Sequence, residues 1–243
     1  MNFTKYNTSV QTSAKYDVGL RAYMLQVFNY MAIALVITGV AAYYASSDAF
    51  MSLMISQSSN SLSPFGWAIQ LSPLFIVMFL SYKINSMSLQ AAQITFWVYS
   101  VLMGLSLGIL LLQYTGESIA KTFLITASVF GTMSLYGYST KKDLTSLGSF
   151  MMMGVIGLVI ASLINLFLQS SAIAFATSII GVIIFTGLTA YDVQKIKNVY
   201  IYSPYSQDSE TASKSAIYGA LTLYIDFINL FIMLLRFFGS RRD

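Results

Sequence analysis

The sequence predicts an all-α membrane protein, a bundle of seven transmembrane helices. Only 9% of its 243 residues are charged and 56% are hydrophobic, with a mean hydropathy of +0.69, whereas a soluble domain carries about 25% charged residues. Charge-free windows recur along the chain, each near the roughly 20 apolar residues that cross a bilayer. These windows are continuous apolar runs without strict alternation. A backbone in lipid must satisfy its own hydrogen bonds, and continuous runs do so as helices rather than as a barrel.

The elements follow in chain order. Residues 1–20 are polar, with Lys5, Lys15 and Asp17. They are read as a short, mobile cytoplasmic tail, with the transmembrane domain over 21–240. The hydrophobic stretch after the tail is too long for the core of a cleavable signal. Ala22–Ser47 is the first span. Asp48 and the serine-rich stretch Ser52–Ser63, closed by Pro64, are read as a loop. The second span runs from Trp67 to Tyr82 and stops at Lys83, with Pro73 placed to kink it. Leu89–Leu112 is the third, and Thr122–Thr140 the fourth, ended by Lys141, Lys142 and Asp143. Leu144–Tyr191 is uncharged and too long for one helix. It divides at Gln169-Ser170-Ser171 into Ser146–Leu168 and Ala172–Tyr191. A polar loop, Lys195–Lys214, precedes the last span, Ser215–Phe238. Small residues, as in Gly104-Leu105-Ser106-Leu107-Gly108, predict close helix packing.

Placement of Lys and Arg orients the bundle with its N-terminus in the cytoplasm. On that side lie Lys5, Lys15, Arg21, Lys83, Lys141, Lys142, Lys195, Lys197 and Lys214, and the outer loops hold only Lys121. Arg241 and Arg242 run against this bias. Either the seventh stretch crosses fully and leaves them outside, or it turns back.

The chain has no Cys and no His. That removes disulfides, thiolate metal sites and the commonest catalytic base and pH switch, so proton-linked behaviour falls to carboxyls. No metal-ligand cluster and no phosphate-binding glycine loop is legible, and an enzyme is not expected. An intramembrane aspartyl protease is disfavoured because Asp192 follows Thr189-Ala190-Tyr191 rather than a Gly-x-Gly context. Nucleic acid is not an expected partner.

Asp226 lies inside the last span, where an ionised carboxylate costs about 2.5–3.5 kcal/mol or more. It must be neutralised, paired or hydrated. Asn229, three residues on, shares its face as a supporting polar group. Arg236 is about 15 Å further along the axis, too far to pair with Asp226. Asp192 closes the sixth span on the inner side and can approach Asp226. Two adjacent carboxylates do not both ionise cheaply, so the pair is a candidate pH sensor and ion pathway. Alternatively Asp192 is a helix-end carboxylate paired with Lys195. Lys83, at the same membrane face, sets topology or serves as counter-charge for Asp192.

Four segments carry a resemblance to a known family: Arg21–Met31, Tyr136–Leu144, Ala190–Ile196 and Leu223–Phe231. Over about residues 20–240 the chain resembles the Bax inhibitor-1 (transmembrane Bax inhibitor motif) family, in its bacterial YccA-like branch. The resemblance implies a seven-helix fold with the last helix central and surrounded by the other six. It implies a pH-sensitive calcium leak gated by an aspartate pair, with those roles on Asp192 and Asp226. A basic latch at the end of the second helix falls on Lys83, where Arg is expected, and Lys lacks the bidentate fork. An acidic partner for Arg236 is missing, since residues 67–82 contain no Asp or Glu. The branch is also described as binding and restraining a membrane-anchored AAA protease.

The expected function is therefore a calcium or cation leak in the cell (inner) membrane, multi-pass and monomeric. Its only ligand is transient Ca²⁺ at Asp192 and Asp226, and there is no resident cofactor. The alternative is a membrane regulator that modulates an AAA protease or stress-response complex through the tail or the inner loop 195–214.

Overall fold

A computed structural model describes residues 3–56, 61–84, 86–202 and 209–242, with side chains described from residue 18 onward and for 210 but not 209. Eight helices account for most of it: α1 Phe3–Ala45, α2 Asp48–Met54, α3 Pro64–Lys83, α4 Leu89–Leu112, α5 Gly116–Ser139, α6 Thr145–Leu168, α7 Ser171–Tyr202 and α8 Ser209–Phe238. All but the short α2 are long and apolar enough to cross a membrane, so the chain is a seven-helix membrane bundle.

Helix starts follow their capping residues. Ser47, Ser63, Ser88 and Thr115 each accept an amide of the first turn, and Pro64 follows Ser63 at the first helical position. The break expected at Gln169 is real. Gln169 takes a left-handed conformation at φ 49°, its amide donates to Asn165 O at 2.8 Å, and the Asn165 side chain accepts the Ser170 amide at 2.9 Å. Inside the spans, serine and threonine hydroxyls donate to carbonyls one turn back, as Thr126 to Thr122 and Thr189 to Phe185. No water is available in lipid, so these hydroxyls are satisfied within their own helices.

Three sequence expectations need correction. The loop read between the first two spans holds helix α2 and a two-residue hairpin, Ile55–Ser56 with Ser61–Leu62, because Ser47 caps a new turn. The loop read as Lys195–Lys214 is largely helical. α7 continues to Tyr202 and α8 starts at Ser209. The polar residues that suggested a loop have partners on α5 and the turn after it: the Lys197 ammonium donates to Tyr138 O at 2.7 Å and the Gln194 amide to Lys142 O at 2.8 Å. At the other end of the chain, α1 begins at Phe3 and its apolar span at Val18, so the backbone of most of the segment read as a tail is helical.

α8 crosses completely. Beyond it, the Thr115 amide donates to Ser240 O at 3.1 Å, the Arg242 amide donates to Gln113 O at 3.0 Å, and Tyr114 pairs with Arg241 in an antiparallel bridge. The C-terminal residues therefore lie with the α4–α5 turn, on the side away from the start of α1, which decides the crossing question left open by Arg241 and Arg242. α8 is the most buried span. It packs chiefly on α7, α1, α5 and α4, while α3 packs chiefly on α4 and α6 on α7. The last helix is central, with four close neighbours rather than six.

Close approach of α5 to α7 depends on Gly137, where an added Cβ would fall on the Ala190 carbonyl. Gly131 on the same helix faces open space within 4 Å. Gly137→Leu is expected to cost about 1–3 kcal/mol by overpacking and Gly131→Leu less than about 0.5 kcal/mol. Thermal unfolding of the detergent-solubilised variants measures the contrast, and equal midpoints would show that this contact does not fix the two helices.

Candidate functional site

Asp192 and Asp226 are the buried acidic residues of the described chain, at 7% and 4% exposure. Asp192 lies ten residues before the end of α7, on the face that also buries Phe185, Leu188, Thr189 and Val193. It is therefore an interior residue of a continuous helix and not a helix-end carboxylate. Asp226 sits in mid-α8, between the buried Tyr224 and Phe227. The two carboxyl groups lie close enough to act on one another. Ionised carboxylates only accept, so a hydrogen bond between two carboxyls needs one of them protonated. The other oxygen of Asp226, Oδ2, is buried with no partner among the described residues. Lys195, one turn along α7, is the nearest cation acting on Asp192. It is exposed, and its ammonium lies 5.8 Å from the Tyr191 ring centroid.

Bonds on other faces position the pair. On α8, the Tyr224 hydroxyl meets the Thr38 hydroxyl at 2.6 Å, and Thr38 donates to Ser100 O at 2.9 Å. The Tyr224 ring stands edge-on to Phe96 and Tyr99, and Phe227 to Phe123 and Phe130. On α7, the Gln194 side chain accepts the Leu144 amide at 2.9 Å while donating to Lys142 O, which clamps the α5–α6 turn two residues from Asp192. In that turn, the Thr145 hydroxyl and amide donate to Asp143 at 2.6 and 2.9 Å and hold its carboxyl below the usual carboxylate range. Near the start of the α1 span, Tyr23 stacks on Tyr200 and bonds the Ser215 hydroxyl at 3.0 Å.

Both aspartates reach a crevice of about 670 Å³ between α6, α7 and α8, with Ser81 of α3 on its rim. Asn229 lines it as expected, and its amide donates to Ile225 O at 2.9 Å. Arg236 lines the far end, exposed and without an ion pair among the described residues. Lys83 is exposed at the end of α3, 5.9 Å from the Tyr82 ring centroid, and it too has no ion pair among the described residues. The structure therefore joins Asp192, Asp226, Asn229 and Arg236 along one cavity and leaves Lys83 out of it. Gln194, Thr38 and Tyr224 escaped the sequence reading. Gln194 carried a legible signal, as a polar residue two positions beyond Asp192. Thr38 and Tyr224 carried none, because hydroxyls are common in apolar spans.

Among the described residues, no group of three or more acidic, Cys or His side chains converges to hold a metal. Two carboxylates could hold a hard cation only with help from water or backbone oxygens, since Ca²⁺ takes about six to eight oxygen ligands.

A family model described as inhibitor of apoptosis-promoting Bax1 matches residues 20–243. The chain is 51% identical to a Rickettsia prowazekii protein over the whole of both chains. It is 45% identical to the Escherichia coli inner membrane protein YbhL, over 99% of each. It is 34% identical to a membrane protein of Streptococcus pyogenes, over 92% of this chain and 94% of the other.

The contact between the carboxyls predicts a protonated carboxyl in infrared spectra of the reconstituted protein, lost in both Asp192→Asn and Asp226→Asn. A wild-type spectrum without that band from acid to neutral pH would mean that the two groups are ionised and apart.

Proposed function

The chain belongs to the Bax inhibitor-1 family, and from that premise we propose that it is a pH-sensitive cation leak, mainly for Ca²⁺, gated by Asp192 and Asp226. Its place is the inner membrane, multi-pass, with the N-terminus in the cytoplasm. Seven apolar helices and relatives named as inner membrane or membrane proteins support the location, and the Lys/Arg asymmetry supports the orientation. One observation carries the gating role: two buried carboxyls in mutual contact reach the same crevice of an otherwise apolar bundle.

A proton between the carboxyls leaves one net negative charge, locally satisfied, and keeps the site compact. Removing it sets two like charges together. Unit charges 4 Å apart repel by about 4 kcal/mol at an effective dielectric of 20. That repulsion is relieved by separation, by entry of water or by a cation. Carboxylate oxygens are hard ligands suited to Ca²⁺, and the pair is too small to retain the ion without added oxygens, which favours passage over storage. Lys195 on α7 and Arg236 on α8 are the nearby cations, and α6 contributes no ionisable residue. Acid drives the proton onto the pair, so flux falls as pH falls and rises as pH rises.

In liposomes loaded with a calcium dye, wild-type flux is expected to increase with pH. Asp226→Asn keeps the shape and removes the titration, so its flux is expected to be flat. Wild-type vesicles no leakier than protein-free ones at every pH would overturn the leak.

A second reading has its own observation. The α1 helix starts about 22 Å before its apolar span, a handle through which the protein would bind and modulate a membrane-anchored AAA protease or a stress-response complex. Deleting residues 1–17 is expected to abolish co-purification of such a protease. Co-purification unchanged by the deletion would remove the tail from that role.

A further inference from the structure

The crevice that reaches Asp226 continues along α8 to Arg236, and its walls are mostly apolar. On α6, Val159 and Leu163 line it and are 54% and 57% exposed. α3 holds to α4 and α6 to α7, which leaves this face of α8 without a closely packed helix among the described residues. In a bilayer the solvent for such a face is hydrocarbon. The volume of about 670 Å³ lies in the range of ligand sites, about 300–1,000 Å³.

Two features select the occupant. Arg236 has no ion pair among the described residues, and its planar guanidinium matches a phosphate through two parallel hydrogen bonds. It stands in the last turn of α8, next to the C-terminal residues that pair with the α4–α5 turn, and so at the rim of the spans on that side. From Arg236 back to Asp226 is ten residues, about 15 Å. That is one leaflet's share of a hydrocarbon core about 30 Å thick.

We propose that the crevice is a phospholipid site: the phosphate of a lipid from the leaflet at the C-terminal end of α8 sits on Arg236, and one acyl chain lies along α8 beside α6, ending near Asn229 and Asp226. The cation and the apolar walls are each needed, the first for the headgroup and the second for the chain. The site stands whether or not the aspartate pair conducts ions. When filled, it shields the lipid-facing side of Asp226 from water.

Native mass spectrometry of the detergent-solubilised full chain tests it, by titration with phosphatidylglycerol and, in parallel, with diacylglycerol of the same chains. One phosphatidylglycerol is expected to be retained per chain, with diacylglycerol bound about tenfold more weakly and Arg236→Gln weakening phosphatidylglycerol by about tenfold. Leu163→Trp, which fills the crevice while leaving Arg236 in place, is expected to abolish retention, with an unfolding midpoint matching wild type as the check on its fold. Arg236→Lys is expected to recover part of the loss. The proposal is overturned if both Arg236→Gln and Leu163→Trp retain lipid as wild type does, or if diacylglycerol binds as tightly as phosphatidylglycerol. A dimer in place of lipid adducts assigns the face to a second copy of the chain and overturns it equally.

Discussion

A carboxyl placed inside a lipid-solvated bundle has to be satisfied by the bundle, and here two of them satisfy each other. The constraint is strict because the chain has no histidine and, among the described residues, sets no cation in direct ion pairing with either group. Asp226 could not stand alone at membrane depth without a cost of about 2.5–3.5 kcal/mol. Its contact with Asp192 joins α7 and α8, and α8 packs more on α7 than on any other helix. The contact is also incomplete, because Asp226 Oδ2 is left without a partner among the described residues.

Such a contact needs rigid support, and both helices receive it away from the carboxyls. α7 is drawn to α5 by the glycine contact Gly137–Ala190, and to the α5–α6 turn by the paired bonds of Gln194. α8 is fixed to α1 through Tyr224 and Thr38, to α5 through the rings around Phe227, and at its end to the α4–α5 turn. Membrane helix contacts of this hydroxyl type average only about 0.6 kcal/mol each. Their importance is one of direction, since they set the rotation of α8 and hence where Asp226 points.

Much of this architecture was legible in the sequence because lipid imposes a coarse code: charge-free length gives the spans, and charges with polar breaks give their limits. The split at Gln169 was readable for that reason. The misreadings share a cause. Lys195 and Lys197 look like loop residues by charge, yet Lys197 reaches the Tyr138 carbonyl and the helix continues through both. Polarity reports that a group needs a partner, not whether the partner is water or another helix. The same limit hid the extension of Asp192 into the helix interior. Asp226 was conspicuous because its apolar context allowed no bland reading, while Tyr224 and Thr38 were silent because a hydroxyl in a span is ordinarily satisfied by its own backbone.

The distribution of bonds around α8 separates support from access. Tyr224 and Phe227 face helices that hold them through hydrogen bonds and edge-on rings. The face carrying Asp226, Asn229 and Arg236 borders the crevice, and its recorded bonds are the carboxyl contact and a return of the Asn229 amide to its own helix. A change at Thr38 or Tyr224 therefore acts first on how the helix is seated. A change at Asn229 or Arg236 acts first on what enters the crevice. Asp226 belongs to both, since its carboxyl closes the α7–α8 contact from inside while opening on the cavity. That double position makes Asp226 the residue at which helix packing and access to the crevice meet.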